Sequence, residues 1–154
     1  MEGSDSALRR GRAALGICLS NLVLFMPDKI AILVVEDNDF VRMQIVGFLK
    51  GVPYEVVEAR EGEGALNMMK TNDSNINLVI ADVRMEPVGG FEFVRDMRSR
   101  QIKTPVVLVT GDQTSDLLEQ AGKLGVAAVL MKPVEKDRLL MTVERTLKQV
   151  RRAH

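Results

Sequence analysis

From Lys29 onward, short apolar runs rich in β-branched residues alternate with longer stretches of helical periodicity. That alternation is the signature of a parallel sheet whose strands are joined by crossover helices. The runs fall at residues 30–35, 54–59, 76–81, 106–109 and 127–131. Between the first two, Phe40, Met43, Ile45, Val46 and Leu49 recur at three-and-four spacing, as expected of a helix laid on a sheet. The later helices read similarly, through Ala65, Leu66 and Met69; Phe91, Val94 and Met97; Leu117, Leu118, Ala121 and Leu124; and Leu140, Val143, Leu147 and Val150. Strands covered on both faces read as continuous apolar runs, whereas an edge strand tolerates charge. Only the second run carries two carboxylates, Glu55 and Glu58, which places it at an edge. The expected fold is therefore α/β, a doubly wound five-stranded parallel sheet in the order 2-1-3-4-5.

Composition narrows the chemistry. A chain of 154 residues with 46% hydrophobic content supports one ordinary domain with its own core. Lysine plus arginine equals aspartate plus glutamate at 21 each, so no global field draws the chain to nucleic acid or an anionic membrane. Direct DNA binding and firm membrane association are not expected, and partners must be found through local surfaces. Cys18 and His154 are the single residues of their kinds, which excludes a disulfide framework and zinc sites built from several Cys or His ligands. Metal chemistry here needs oxygen ligands.

Residues 1–28 differ from the rest: Arg9, Arg10 and Arg12 precede a mostly apolar stretch from Ala13 to Met26. An export signal, a docked or membrane-surface helix, and a loosely ordered extension are competing readings. Met26 is a candidate start, because a complete domain at 29–152 follows it. No function is assigned to this segment.

In open α/β sheets ligands bind beyond the carboxyl ends of the strands, where strand order reverses. Strand one ends in Glu36 and Asp37, strand three in Asp82, strand four in Thr110, and strand five in Lys132 before Pro133; strand two adds nothing polar of note. Three clustered carboxylates repel one another unless a cation sits among them. Magnesium suits such a site, since it takes oxygen ligands and works beside phosphate. A lysine and a threonine can then meet a phosphoryl group transferred to a carboxylate. Each feature alone has a plainer explanation: Asp37 or Asn38 as a helix cap, Asp82 and Thr110 as turn residues, Lys132 as a solvated lysine. Their conjunction at one sheet edge argues for a site.

These residues, in the runs ILVVEDND, LVIADVRM, VVLVTGD and LMKP, resemble the receiver domains of two-component response regulators, with the flavodoxin-like, CheY-like fold, over roughly 29–151. The resemblance implies that Glu36 and Asp37 hold magnesium, Asp37 directly and Glu36 through water. It implies that Asp82 is the phosphoacceptor and third carboxylate ligand, and that the backbone carbonyl of Arg84 completes the set. Thr110 is the implied switch hydroxyl, Lys132 the implied phosphoryl contact, and Pro133 follows an implied cis bond. It further implies a cytoplasmic signalling protein rather than an enzyme. The phosphodonor is a sensor histidine kinase or a histidine phosphotransfer protein, and output passes to an unidentified downstream protein. With one helix following Lys132, a single-domain regulator is expected.

The sequence also departs from the family pattern. Val129 stands where receivers carry an aromatic residue, which puts switching in question, and Glu86 displaces Pro87 by one position. Arg84 and Asp112, each two residues past a site residue, are expected to flank the entrance and pair across it as a gate against water; two independently solvated side chains are the alternative. A haloacid dehalogenase would want an acid where Arg84 stands, and a flavodoxin-type binder would want a phosphate loop where EDND stands. A pseudo-receiver, or a phosphorelay intermediate with altered switching, is the nearer alternative.

Overall fold

The computed structural model describes residues 29–70, 75–112 and 114–153, so the expectations for 1–28 lie outside the described residues. Strands and helices alternate along the chain: β1 (Ile30–Val35), α1 (Asp39–Leu49), β2 (Tyr54–Ala59), α2 (Gly62–Lys70), β3 (Ile76–Asp82), α3 (Gly90–Ser99), β4 (Val106–Thr110), α4 (Ser115–Lys123), β5 (Ala128–Met131) and α5 (Lys136–Arg152). The strands form one sheet in the order β2-β1-β3-β4-β5, as expected, and every neighbouring pair is parallel. β2 is indeed an edge, and Glu55 and Glu58 are exposed on it.

Alternate residues of each central strand feed two separate cores, because successive side chains point to opposite faces. Ile32, Val34, Leu78, Ile80, Val107 and Val109 pack with Ile45 and Leu49 of α1 and with Leu139, Val143 and Leu147 of α5. Leu33, Val35, Val79, Ala81, Val106 and Leu108 pack with residues of α2, α3 and α4, including Phe93 and Met97. Two helices therefore cover one face and three the other. Among the described residues, no helix is long and apolar enough to cross a membrane.

The first turn of α1 differs from expectation. Phe40 is 85% and Met43 68% exposed, while Arg42, Ile45, Val46 and Leu49 form the buried stripe. Positions i, i+3, i+4 and i+7 starting at residue 42 define a single face, and residues 40 and 43 fall outside it. Ile45, Val46 and Leu49 lie on the expected face; Phe40 and Met43 were counted with them because they are apolar, and Arg42, which heads the stripe, was passed over because it is charged. Leu118 of α4 likewise faces out, at 45% exposure, and Phe93 and Leu139 join the cores unanticipated. Asn38 caps α1 through its side chain, which accepts from the amides of Phe40 and Val41 at 3.0 and 3.1 Å.

The contrast between buried Phe93 and exposed Phe40 makes a paired prediction for urea unfolding. Phe93→Ala should cost about 3–5 kcal/mol, the range for emptying a buried aromatic site. Phe40→Ala should change stability by less than about 0.5 kcal/mol.

Candidate functional site

Strand register delivers four polar residues to one end of the sheet. Val35 pairs with Ala81, so Glu36 stands level with Asp82; Asp82 pairs with Val109, and Thr110 pairs with Met131, the residue before Lys132. Backbone bonds continue past the strand ends: the Glu36 amide donates to the Ala59 carbonyl at 3.1 Å and the Lys132 amide to the Thr110 carbonyl at 2.8 Å. Asp82 and Thr110 are the last residues of their strands, one position earlier relative to the strand end than the sequence suggested. Being inside a ladder restricts their backbones, which favours a fixed geometry.

Carboxylate oxygens of Glu36, Asp37 and Asp82 all lie within 4.8 Å of one another. Glu36 is 1% and Asp82 5% exposed, whereas Asp37 faces solvent. Lys132 Nζ lies 3.1 Å from Glu36 Oε2 and 3.2 Å from Asp82 Oδ2, so one ammonium binds both buried acids. The other oxygen of Glu36 accepts from the Asn38 amide at 3.2 Å, and Asp37 Oδ2 accepts from the Glu86 amide at 3.4 Å. Burial pushes the Glu36 carboxyl up; the hydrogen bond from Lys132 pulls it down, the Asp82 charge pushes it up again, and the net displacement is upward. For Lys132, burial works downward, but the hydrogen bond to Glu36 and the charge of Asp82 outweigh it and raise its pKa.

The donor set suits magnesium. Three carboxylates offer oxygen ligands only, two of them are held by a ladder and a lysine, and the exposed Asp37 leaves one side open to water and phosphate. One ammonium between three acids leaves the cluster net negative, which further favours a divalent cation.

Around this cluster the other expected residues take distinct places. The Thr110 hydroxyl, fully buried, donates to the Asp112 carbonyl at 2.9 Å and accepts from the Asp112 amide at 3.1 Å. Arg84 Nη2 forms an ion pair with Asp112 Oδ2, and both side chains are at least half exposed. Asp112 thus joins Thr110 through its backbone and Arg84 through its carboxylate. Val129 is half-buried against the core beneath α2, α3 and α4. The Lys132–Pro133 bond is cis, and so is Glu86–Pro87 in the β3–α3 loop. That loop returns closely under the site: the Gly90 amide donates to the Val83 carbonyl at 2.9 Å, and a Cβ at Gly90 would sit 2.3 Å from the Asp82 carbonyl oxygen. A side chain is excluded there by backbone, not by a movable neighbour.

Sequence reasoning missed Arg42. It is 6% exposed, and its Nη1 donates to the Glu36 carbonyl at 2.8 Å. The available signal was its place at the head of the i, i+3, i+4, i+7 stripe, six residues after Glu36. Its partner across the sheet edge is Glu58, on the edge strand β2.

Comparison with known proteins agrees with this geometry. The family model for the response regulator receiver domain matches residues 32–144. The chain belongs to that family, whose members act as receivers in two-component signalling. Among curated relatives, it is 35% identical over 115 residues to the CAI-1 autoinducer sensor kinase/phosphatase CqsS of Vibrio cholerae, covering 73% of this chain and 16% of that protein. It is 31% identical over 121 residues to the transcriptional regulatory protein PdtaR of Mycobacterium tuberculosis, covering 78% of this chain and 58% of that protein. The chain therefore spans only part of the length of these relatives. A response regulator receiver protein from Pseudomonas putida superimposes with a TM-score of 0.72 at 29% identity, over 78% of this chain and 99% of that one. A CheY-like receiver domain from Methanospirillum hungatei shares the fold with a TM-score of 0.76 at 21% identity, over 82% of this chain and all of that one.

The raised Glu36 pKa has a definite sign in stability. A carboxyl whose folded pKa lies above its unfolded value of 4.5 contributes stability that is fully present below 4.5 and lost as pH rises through the folded value. In magnesium-free buffer, the melting temperature of the wild type relative to Glu36→Gln should fall as pH rises through that window. Saturating magnesium should reverse the slope, because a bound cation favours the ionised carboxylate.

Proposed function

We propose that this chain accepts a phosphoryl group on Asp82 in a magnesium-dependent reaction and signals through protein contact. The observation that carries this reading is the arrangement of Lys132, whose ammonium bridges Glu36 and Asp82 while Asp37 faces solvent beside them. Phosphoryl transfer to a carboxylate requires mainly positioning and charge balance, and these residues supply both. The donor is a phosphohistidine of a sensor kinase or of a histidine phosphotransfer protein. An Asp82 carboxylate oxygen attacks phosphorus, the phosphorus–nitrogen bond breaks with its electron pair going to nitrogen, and the imidazole leaves neutral, keeping the proton already on its other ring nitrogen. Glu36, Asp37, Asp82 and the Arg84 carbonyl would hold the magnesium ion, which supplies neutralisation of phosphoryl oxygen charge when bound. Lys132 turns from its carboxylate partners to a phosphoryl oxygen. Thr110 exchanges the bond to Asp112 for one to the phosphoryl group. A cytoplasmic setting, where kinases and nucleotide are present, fits a chain whose single cysteine leaves no disulfide to protect.

Acetyl phosphate with magnesium, followed by intact mass measurement, tests this directly. Wild type should gain one phosphoryl mass, and Asp82→Asn should gain none. Val129 favours a second reading, a pseudo-receiver or a phosphorelay intermediate with altered switching, because a half-buried valine lacks the ring that receivers turn inward. Absence of any phosphoryl mass on the wild type would favour the pseudo-receiver. Mass gain without a change in partner binding would favour the relay.

The Arg84–Asp112 ion pair is proposed as the gate that slows hydrolysis of the aspartyl phosphate. It spans the side of the site between the ends of β3 and β4, and its exposure limits its strength. Arg84→Ala should shorten the phosphoprotein half-life about two- to five-fold, the effect of an exposed pair worth up to about 1 kcal/mol. An unchanged half-life would remove the gate and leave the phosphoacceptor assignment intact.

A further inference from the structure

The face that α1 turns to the sheet begins with a guanidinium. Besides the bond to the Glu36 carbonyl, Arg42 donates through Nη2 to Asp39, and its Nε lies 3.3 Å from Glu58 Oε1 on β2. Arg60 adds a weaker contact to Asp39, at 3.7 Å. A cation carried into an interface of this kind requires charge and hydrogen-bond partners together. Two carboxylates supply the charge, and the fork geometry of guanidinium reaches three acceptors at once.

An arginine so placed could serve only to staple α1 to the edge strand. What sets this one apart is the carbonyl that it holds. Glu36 is almost fully buried, and the peptide units on its two sides are fixed by different elements. Its amide donates to Ala59 at the end of β2, and its carbonyl accepts from Arg42 on α1. The second of these peptide units leads directly into Asp37. Rotating it would swing the Asp37 carboxylate away from Glu36 and Asp82, with which it now shares a space of 4.8 Å. The helix start is secured independently, by the Asn38 side chain and by the Arg42 amide donating to the Asn38 carbonyl at 2.9 Å. The guanidinium is therefore not needed to begin the helix, and its distinctive contact is the Glu36 carbonyl.

We propose that Arg42 is a positioning residue for the acidic site, fixing the Glu36–Asp37 peptide unit so that its two carboxylates converge with Asp82 on one cation. The proposal rests on the magnesium reading given above. Arg42 acts by geometry, since its charge is already balanced by Asp39 and Glu58.

Amide NMR titration of the full chain with magnesium chloride tests it, using wild type, Arg42→Gln, Arg42→Lys and Leu147→Ala. The last empties core volume on α5 and controls for loss of stability alone. Arg42→Gln should raise the magnesium Kd about ten-fold, the usual scale when a group that orients a metal ligand is removed. Arg42→Lys should raise it too, because one ammonium cannot reproduce the three-way fork. Leu147→Ala should stay within about two-fold of wild type, since it orients no ligand. An unchanged Kd in Arg42→Gln overturns the proposal, as does equal weakening in Leu147→Ala. If Arg42→Gln fails to fold, an unchanged Kd in Arg42→Lys overturns it instead. Failure of the wild type to bind magnesium would sink the underlying reading before any variant is compared.

Discussion

The contact on which the rest of the site depends is that of the Lys132 ammonium with Glu36 and Asp82. Two buried acids facing each other across adjacent strands repel, and burial itself disfavours the charged form of Glu36. Lys132 reaches both at close to 3 Å from the far side of the sheet, and so makes the cluster tolerable in the folded chain. The order of strands matters for this reason. β5 lies two strands away from β3, yet the parallel register keeps all the carboxyl ends on one edge, so a lysine one residue past β5 is within reach.

That balance is incomplete, and the incompleteness is what makes the site chemically useful. One ammonium cannot neutralise three carboxylates, and Asp37 stays open to solvent. A site with residual negative charge and an open side attracts a divalent cation and leaves room for a phosphoryl oxygen beside it. Rigid parts and adjustable parts are separated accordingly. Glu36 and Asp82 are held by the sheet, by Lys132 and, in the case of Glu36, by Arg42. Thr110, Asp112 and Arg84 form a chain of replaceable hydrogen bonds and one exposed ion pair along the β4 side. Motion of the Thr110 hydroxyl therefore disturbs the residue that pairs with Arg84, which connects the interior of the site with its rim.

Backbone proximity enforces a further constraint at Gly90. The start of α3 passes so near the Asp82 carbonyl that only glycine fits, and the amide of the same residue binds the Val83 carbonyl. The β3–α3 loop is thus anchored on the strand that bears the proposed phosphoacceptor. Its middle contacts Asp37 through the Glu86 amide. Both acidic corners of the site are in this way tied to one loop.

The fold and the identity of the polar residues at the strand ends were legible in the sequence, because both follow from local pattern. Apolar runs with β-branched residues, helical spacing between them, and a charged second run suffice for a doubly wound sheet with β2 at its edge. Which polar residue ends each strand can be read directly once the strands are placed. The first turn of α1 was not legible, since Phe40 and Met43 are apolar yet face solvent while Arg42 is charged yet faces the sheet. Hydrophobicity alone misjudges a residue whose burial depends on partners from other elements, here the Glu36 carbonyl, Asp39 and Glu58. The distances among the three carboxylates, the double contact of Lys132 and the pairing of Arg84 with Asp112 were likewise decided only by tertiary structure. They depend on the register between strands far apart in the chain, and register is a property of the assembled sheet that no single run of sequence contains.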